Sequence, residues 1–253
     1  MPKAGDLCYC ALMATFSIIG TPIGNLEDIT LRALQTLAAA DLILCEDTRM
    51  TKRLLDKHAI SKPTMSYHAH SKLARVEEII GLLKQGKHLA LVSDAGTPGI
   101  SDPGSELVRR MRSELAVEIA SGEIKIEGIP GPSALATALS IAGVSCADFT
   151  FLGFLPHKKG RETLFKEIET AERTMVFYES PHRIMKTLEA LDLRFRIQDS
   201  GKEGKKEKGK TVTVCRELTK IFEEVVQGTA SEVKEYFEKH ADKVRGEFVV
   251  IVS

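Results

Sequence analysis

Short apolar runs alternate with amphipathic stretches through the first half of the chain. Phe16–Ile19 reads as a strand ending at Gly20, and Thr30–Ala39 follows as a helix with Leu31, Leu34 and Leu37 on one face. Leu42–Cys45 is the next strand. Ser71 is placed to cap a helix in which Leu73, Val76, Ile80 and Leu83 recur at helical spacing, and Gly86 stops it. His88–Val92 is a buried strand that runs straight into a loop rich in Gly and Pro. This rhythm predicts an α/β fold with a mostly parallel sheet covered by helices.

The second half keeps the style less regularly. Thr150–Phe154 and Thr174–Tyr178 read as strands, Arg161–Glu172 and Pro181–Leu191 as helices, and Thr211–Cys215 and Phe248–Val252 as terminal strands. Strands that follow one another without a helix between them predict a mixed sheet. Asp199–Lys210, DSGKEGKKEKGK, has no apolar residue and reads as a mobile loop. The segment IPGP interrupts the pattern, which places a domain boundary near Gly131. The expected organisation is an extension over 1–13, a first α/β domain over 14–130 and a second over 131–253. Met13 could begin the chain equally well.

Composition narrows the class. The chain has 253 residues, enough for one large domain or two small ones, each with its own core. Lys plus Arg and Asp plus Glu each number 35, so the formal net charge is zero. Any RNA binding must then come from local basic segments rather than a global field. Cys8, Cys10, Cys45, Cys146 and Cys215 are odd in number and scattered without a C-x-x-C pair. That argues against a disulfide framework or a structural zinc site and fits a reducing compartment, expected to be the cytoplasm. The apolar stretch Leu7–Ile19 is too short to span a bilayer, and Asp6 spoils a signal-peptide flank that holds only Lys3.

Five segments carry candidate chemistry. GTPIGN, Gly20–Asn25, lies at a strand's C-terminal end, where open α/β sheets collect ligands. Alone it reads as a tight turn; it has neither P-loop nor G-x-G-x-x-G spacing. SDAGTPGISDPG, Ser93–Gly104, is a rigid irregular loop that exposes backbone groups, and its two aspartates could face a cation such as a sulfonium. A structureless loop of that length usually has a function. IPGPSALATALSIAG, Ile129–Gly143, opens a helix of small residues whose N-terminal N–H groups could receive an anion or pack closely, or both. FYESPHR, Phe177–Arg183, offers Tyr178 to cover an aromatic ligand and Glu179 as an acceptor, though a lone Glu is more often structural. CEDTRMTKRLL, Cys45–Leu55, pairs Glu46 and Asp47 ahead of Arg49, Lys52 and Arg53, which by themselves read as a solvated helix with ion pairs. His68 and His70 have no carboxylate or cysteine at ligand spacing.

Taken together and in order, TPIGNLEDIT, CEDTR, SDAGTPGISDPG, IPGPSA, FYESPHR, RELTK and the closing GEFVVIVS resemble the ribosomal RNA small subunit methyltransferase I family, over about residues 14–253. That family belongs to the tetrapyrrole-methylase fold group. The resemblance implies a two-domain α/β protein with a parallel-rich N-terminal sheet, a mixed C-terminal sheet and an S-adenosylmethionine cleft between the domains. It also implies a homodimer that methylates a cytidine ribose 2′-hydroxyl in small-subunit ribosomal RNA or in the assembled small subunit. By motif, Ile23, Gly96, Thr97, Pro98, Ile100, Ser133, Ala134 and Tyr178 match cofactor contacts. The histidine block departs from the family's H-E-H-N, reading His68-Ala69-His70-Ser71, so no role is carried onto it. The Lys-rich segment looks like an insertion.

A ribose hydroxyl is weakly acidic, so its attack on a sulfonium methyl is helped by a base. The transfer requires no metal. Glu46, Asp47 and Glu179 are the candidates, with Arg49, Arg183 and Arg216 to hold phosphate or developing charge. Arg49, Lys52, Arg53, Lys158, Lys159 and Arg161 are the expected RNA-binding cations, with no membrane involved. Two rivals stay open: a methylase of the same fold acting on a tetrapyrrole or a protein side chain, and an inactive RNA-binding assembly factor.

Overall fold

A computed structural model describes residues 13–68, 73–200 and 209–253, without the side chains of 197–200. The expected cap at Ser71, most of the histidine block, nearly all of the extension, Cys8, Cys10 and most of the Lys-rich segment lie outside those residues. The chain divides into two compact units, the first ending at Pro132 and the second covering Ser133–Ser253.

The first unit carries a five-stranded sheet built from β1 (Ala14–Ile19), β2 (Leu42–Cys45), β3 (Thr64–Ser66), β4 (Leu89–Val92) and β5 (Ile124–Ile129). Its order is β3-β2-β4-β1-β5, and every pairing is parallel. The strands are joined by α1 (Leu31–Ala39), α2 (Thr48–Lys57), α3 (Leu73–Lys84), α4 (Gly104–Glu114) and α5 (Ala116–Ser121). Alternation along β4 explains why both faces are covered. Ala90 and Val92 pack with Ala33 and Leu37 of α1 and Leu54 and Leu55 of α2. Leu89 and Leu91 pack with Val76, Ile79 and Leu83 of α3 and Leu107 and Met111 of α4. A parallel strand buried on both sides reads as a continuous apolar run, which is why LALV is legible as a strand.

Local chemistry starts the helices. Thr30 caps α1 by accepting the Ala33 N–H at 3.1 Å. The buried stripe of α1 is Ala33 and Leu37, and Leu31 is 79% exposed rather than on the inner face. Strands β3 and β5 and helices α4 and α5 are not evident in the apolar pattern. They are short, or interrupted by charge.

The second unit holds β6 (Phe149–Phe154), β7 (Thr174–Glu179), β8 (Val212–Arg216), β9 (Glu224–Gly228) and β10 (Phe248–Val252) in the order β6-β7-β10-β8-β9. β6 and β7 are parallel, and the other pairs are antiparallel, so the sheet is mixed as expected. α6 (Ala134–Ile141), α7 (Arg161–Thr170), α8 (Ile184–Ser200) and α9 (Ala230–Lys239) complete the unit. α9 begins with a reciprocal cap, Thr229 on the Glu232 N–H and Glu232 back on the Thr229 N–H. α8 continues through Asp199 and Ser200, so the segment read as a loop from Asp199 begins as helix. Phe165, Phe177, Phe237, Phe248 and Leu188 form the core. Among the described residues no helix is long and apolar enough to cross a membrane.

Candidate active site

The loops after β1 and β4 leave the sheet toward opposite faces, since α1 and α4 belong to different core clusters. Such a switch between neighbouring strands opens a crevice at their C-terminal ends. The two loops meet there. The Thr21 N–H donates to the Gly96 carbonyl at 2.9 Å and the Gly96 N–H to the Thr21 carbonyl at 3.1 Å. The Thr21 hydroxyl lies 3.2 Å from the carbonyls of both Ser93 and Gly96.

Gly96 has φ +79° and Gly99 φ +89°, left-handed backbone that glycine adopts without cost. Ser101 is held at φ +69° although it is not glycine. Asp102 stabilises that turn by accepting the Gly99 and Gly104 N–H groups at 2.9 and 2.7 Å. Thr97 donates its hydroxyl to the Pro132 carbonyl at 3.4 Å. Ile23 and Pro98 are buried, while Ile100 is exposed.

Acids collect beside this loop because β2 neighbours β4. Glu46 and Asp47 follow β2, and the Asp47 N–H donates to Asp94 Oδ1 at 2.9 Å. Partial burial pushes the Glu46 carboxyl up, and the Asp94 and Asp102 carboxylates push it further, against a smaller opposing effect of His68. Asp47 goes the other way. Its hydrogen bonds from the Arg49 side chain and then from the Arg49 N–H lower it to about 2. Asp47 caps α2, so its oxygens are committed to that structure and it is a poor base.

In the second unit Ser133 precedes α6 without a side-chain cap bond, and Tyr178 lies at the end of β7. Burial raises the Tyr178 phenol, opposed by a hydrogen bond with the Leu135 backbone. Glu179, expected as a candidate base, is 1% exposed. One oxygen accepts the Ser180 N–H at 2.9 Å and pairs with Arg183 at 2.8 Å. The other accepts the Thr187 hydroxyl at 2.7 Å and faces Arg161 at 3.5 Å. A carboxylate so engaged organises its neighbours instead of taking substrate protons.

The same network corrects the reading of the arginines. Arg161 turns inward to Thr187 at 2.6 Å and lies over the Phe165 ring at 5.0 Å, so it does not join an exposed RNA-binding cluster. Arg183 donates to the Leu155 carbonyl at 2.7 Å. Arg216 is buried and donates to the Lys243 and Phe222 carbonyls at 2.7 Å each. Neither is available to hold phosphate. Arg49 is exposed but paired with Asp47, and Lys52, Arg53, Lys158 and Lys159 are exposed. Among the described residues no group of three or more His, Cys, Asp or Glu side chains is placed to hold a metal ion. Burial raises the thiols of Cys45 and Cys215, the latter to about 11, which suits packing rather than nucleophilic use.

Known proteins share this architecture. The family model of tetrapyrrole (corrin/porphyrin) methylases matches residues 15–234. The chain is 44% identical over 241 residues to the ribosomal RNA small subunit methyltransferase I of Thermotoga maritima, covering 95% of this chain and 99% of the relative. It is 42% identical to the Synechocystis protein of that name, covering 95% of this chain and 79% of the relative. Among solved structures, the methyltransferase CobJ superposes with a TM-score of 0.63 at 19% identity, covering 95% of this chain and 94% of that one. The cobalt precorrin-4 methyltransferase CbiF gives 0.59 at 18% identity, covering 98% of each chain. At such low identities these two likenesses bear on the fold alone. On the near-full-length identity and the matched family model, the chain belongs to the ribosomal RNA small subunit methyltransferase I family, within the tetrapyrrole methylase group.

Proposed function

We propose that this protein methylates the 2′-hydroxyl of a cytidine ribose in small-subunit ribosomal RNA, free or in the assembled subunit. Methyltransferases of this family and fold use S-adenosylmethionine, which when bound supplies an electrophilic methyl on a sulfonium centre. The first unit suits such a donor. Gly20 and Gly131 pack backbone on backbone, Gly96 turns left-handed beneath Ile23, and the Asp94 carboxylate stands on the same loop for a cation. We retain Ile23, Gly96, Thr97, Pro98 and Ile100 of the first unit, and Ser133, Ala134 and Tyr178 of the second, as donor-binding residues. A cytoplasmic homodimer belongs to the same proposal and rests on the family resemblance.

The observation that carries the hydroxyl acceptor is the state of Glu46. Of the three candidate bases it alone is not committed to a helix cap or a buried ion network. Its raised affinity for protons suits accepting one from a weakly acidic hydroxyl. A ring nitrogen with a free lone pair would need no such base. The experiment is methyl transfer into small ribosomal subunits, followed by nucleoside analysis. 2′-O-Methylcytidine is the expected product. A base-methylated nucleoside, or transfer only to a porphyrin precursor, overturns the proposal.

A further inference from the structure

We propose that Phe154, backed by Phe151 and Tyr178, is a stacking shelf for an unpaired base of the RNA substrate; this rests on the reading of an RNA acceptor. Residues three apart on a regular strand point to opposite faces, so Phe151 and Phe154 should diverge. They do not. Phe151 stands opposite Val176 and Phe154 opposite Tyr178, with the register slipping between them. Gly153 takes φ +63° at the slip. One extra residue on β6 thus makes a bulge, a device that re-aims a side chain. Both rings meet Tyr178 edge to face, at centroid distances of 4.9 and 5.3 Å. Phe154 nevertheless stays 55% exposed.

The chain leaving this shelf is pinned. Arg183 donates to the Leu155 carbonyl at 2.7 Å and Arg161 to the Pro156 carbonyl at 3.3 Å, and both guanidiniums pair with the buried Glu179. Removing an acid and two arginines from water is costly, and the result is a rigid exit directly after Phe154. Beyond buried Leu155 and half-buried Pro156, the side chains of His157, Lys158 and Lys159 are all exposed. An open aromatic ring on a sheet, followed a few residues on by the exposed Lys158 and Lys159, matches single-stranded RNA: the base lies on the ring and the phosphates meet the lysines. An apolar peptide would use the ring but not the lysines.

The test uses the full chain and a short cytidine-containing single-stranded RNA, in intact form and with one abasic ribose. Phe154→Ala should weaken binding of the intact RNA about five- to a hundred-fold, the range for loss of one stacked base. Phe154→Trp should retain it. The parent should prefer intact over abasic RNA, and Phe154→Ala should lose that preference. Because Phe154 is exposed, both variants are expected to fold, with circular dichroism as the check. Unchanged RNA affinity in Phe154→Ala overturns the proposal, as does a parent with no measurable RNA binding. Lost S-adenosylmethionine affinity with RNA binding intact assigns the shelf to the donor instead, and a fall in mass by light scattering assigns it to a subunit contact. The acceptor reading is tested separately, since nucleoside analysis of the product does not depend on these binding measurements.

Discussion

Gly20 and Gly131 touch through their backbones: a Cβ on Gly131 would sit 2.5 Å from the Gly20 carbonyl oxygen, and one on Gly20 would sit 2.8 Å from the Gly131 Cα. The Gly20 N–H also donates to the Ile129 carbonyl at 3.0 Å. No flexible side chain lies at this contact to give way, so Gly131→Ala must push two loops apart. We expect a stability loss of about 1–3 kcal/mol, the usual cost of overpacking, together with weaker S-adenosylmethionine binding. Urea unfolding and calorimetric titration read the two effects. Unchanged values for both would show that the loops separate without consequence.

Glu46→Gln should lower kcat about a hundred-fold or more, within the range for removal of a general base, with little change in donor affinity. The pH profile gives a sharper test. The base must be deprotonated, so activity should fall as pH drops through the Glu46 pKa. Partial burial and the nearby Asp94 and Asp102 place that limb above the ordinary glutamate range. A parent profile with its acidic limb at or below the ordinary range would remove Glu46 from the role.

Asp47 should matter to stability rather than turnover. Its folded pKa is depressed to about 2 by Arg49, so its contribution is fully present above the unfolded value and is lost as pH falls toward 2. Asp47→Asn keeps a capping oxygen but no charge. The melting temperature of the variant should lie below that of the parent at neutral pH, and the gap should close near pH 2. A gap that is constant with pH would show that the charge is not involved.

Glu179→Ala leaves the Arg161 and Arg183 guanidiniums without their buried partner. Breaking a buried pair in this way costs about 3–5 kcal/mol, and urea denaturation measures it. A catalytic role alone would instead leave stability near that of the parent while activity disappeared.

Lys158→Ala with Lys159→Ala should weaken RNA binding. The slope of log affinity against log salt should fall by about 0.7 for each phosphate of a single strand that is no longer neutralised. Arg161→Ala should act mainly on stability, because its guanidinium is already held by Thr187 and Glu179. An unaltered salt slope in the double variant would make the lysines ordinary solvated surface.

The sequence alone located most of the strands, though not β3, β5 or β9, and the loops that follow them. Leu42–Cys45 and Phe248–Val252 are strands with those same bounds, because an unbroken apolar run closed by polar or turn residues is a local signal. The glycine loop after Val92 and the family were legible for the same reason: each is written in contiguous residues. Only the tertiary structure decided which charged side chains are free to act. Glu46, Asp47 and Glu179 look equivalent in sequence, yet one stands outside any cap or ion network with its carboxyl pushed up by its surroundings, one caps a helix and one is buried between two arginines. Arg161 reads as part of a basic run and turns inward to Thr187. The partners that make these differences, such as Thr187 for Glu179 and Asp94 for Glu46, come from other elements of the fold, while Arg49 beside Asp47 is local. Burial and pairing set the free energy of a charge, and they depend on neighbours brought together by the sheet rather than by chain order.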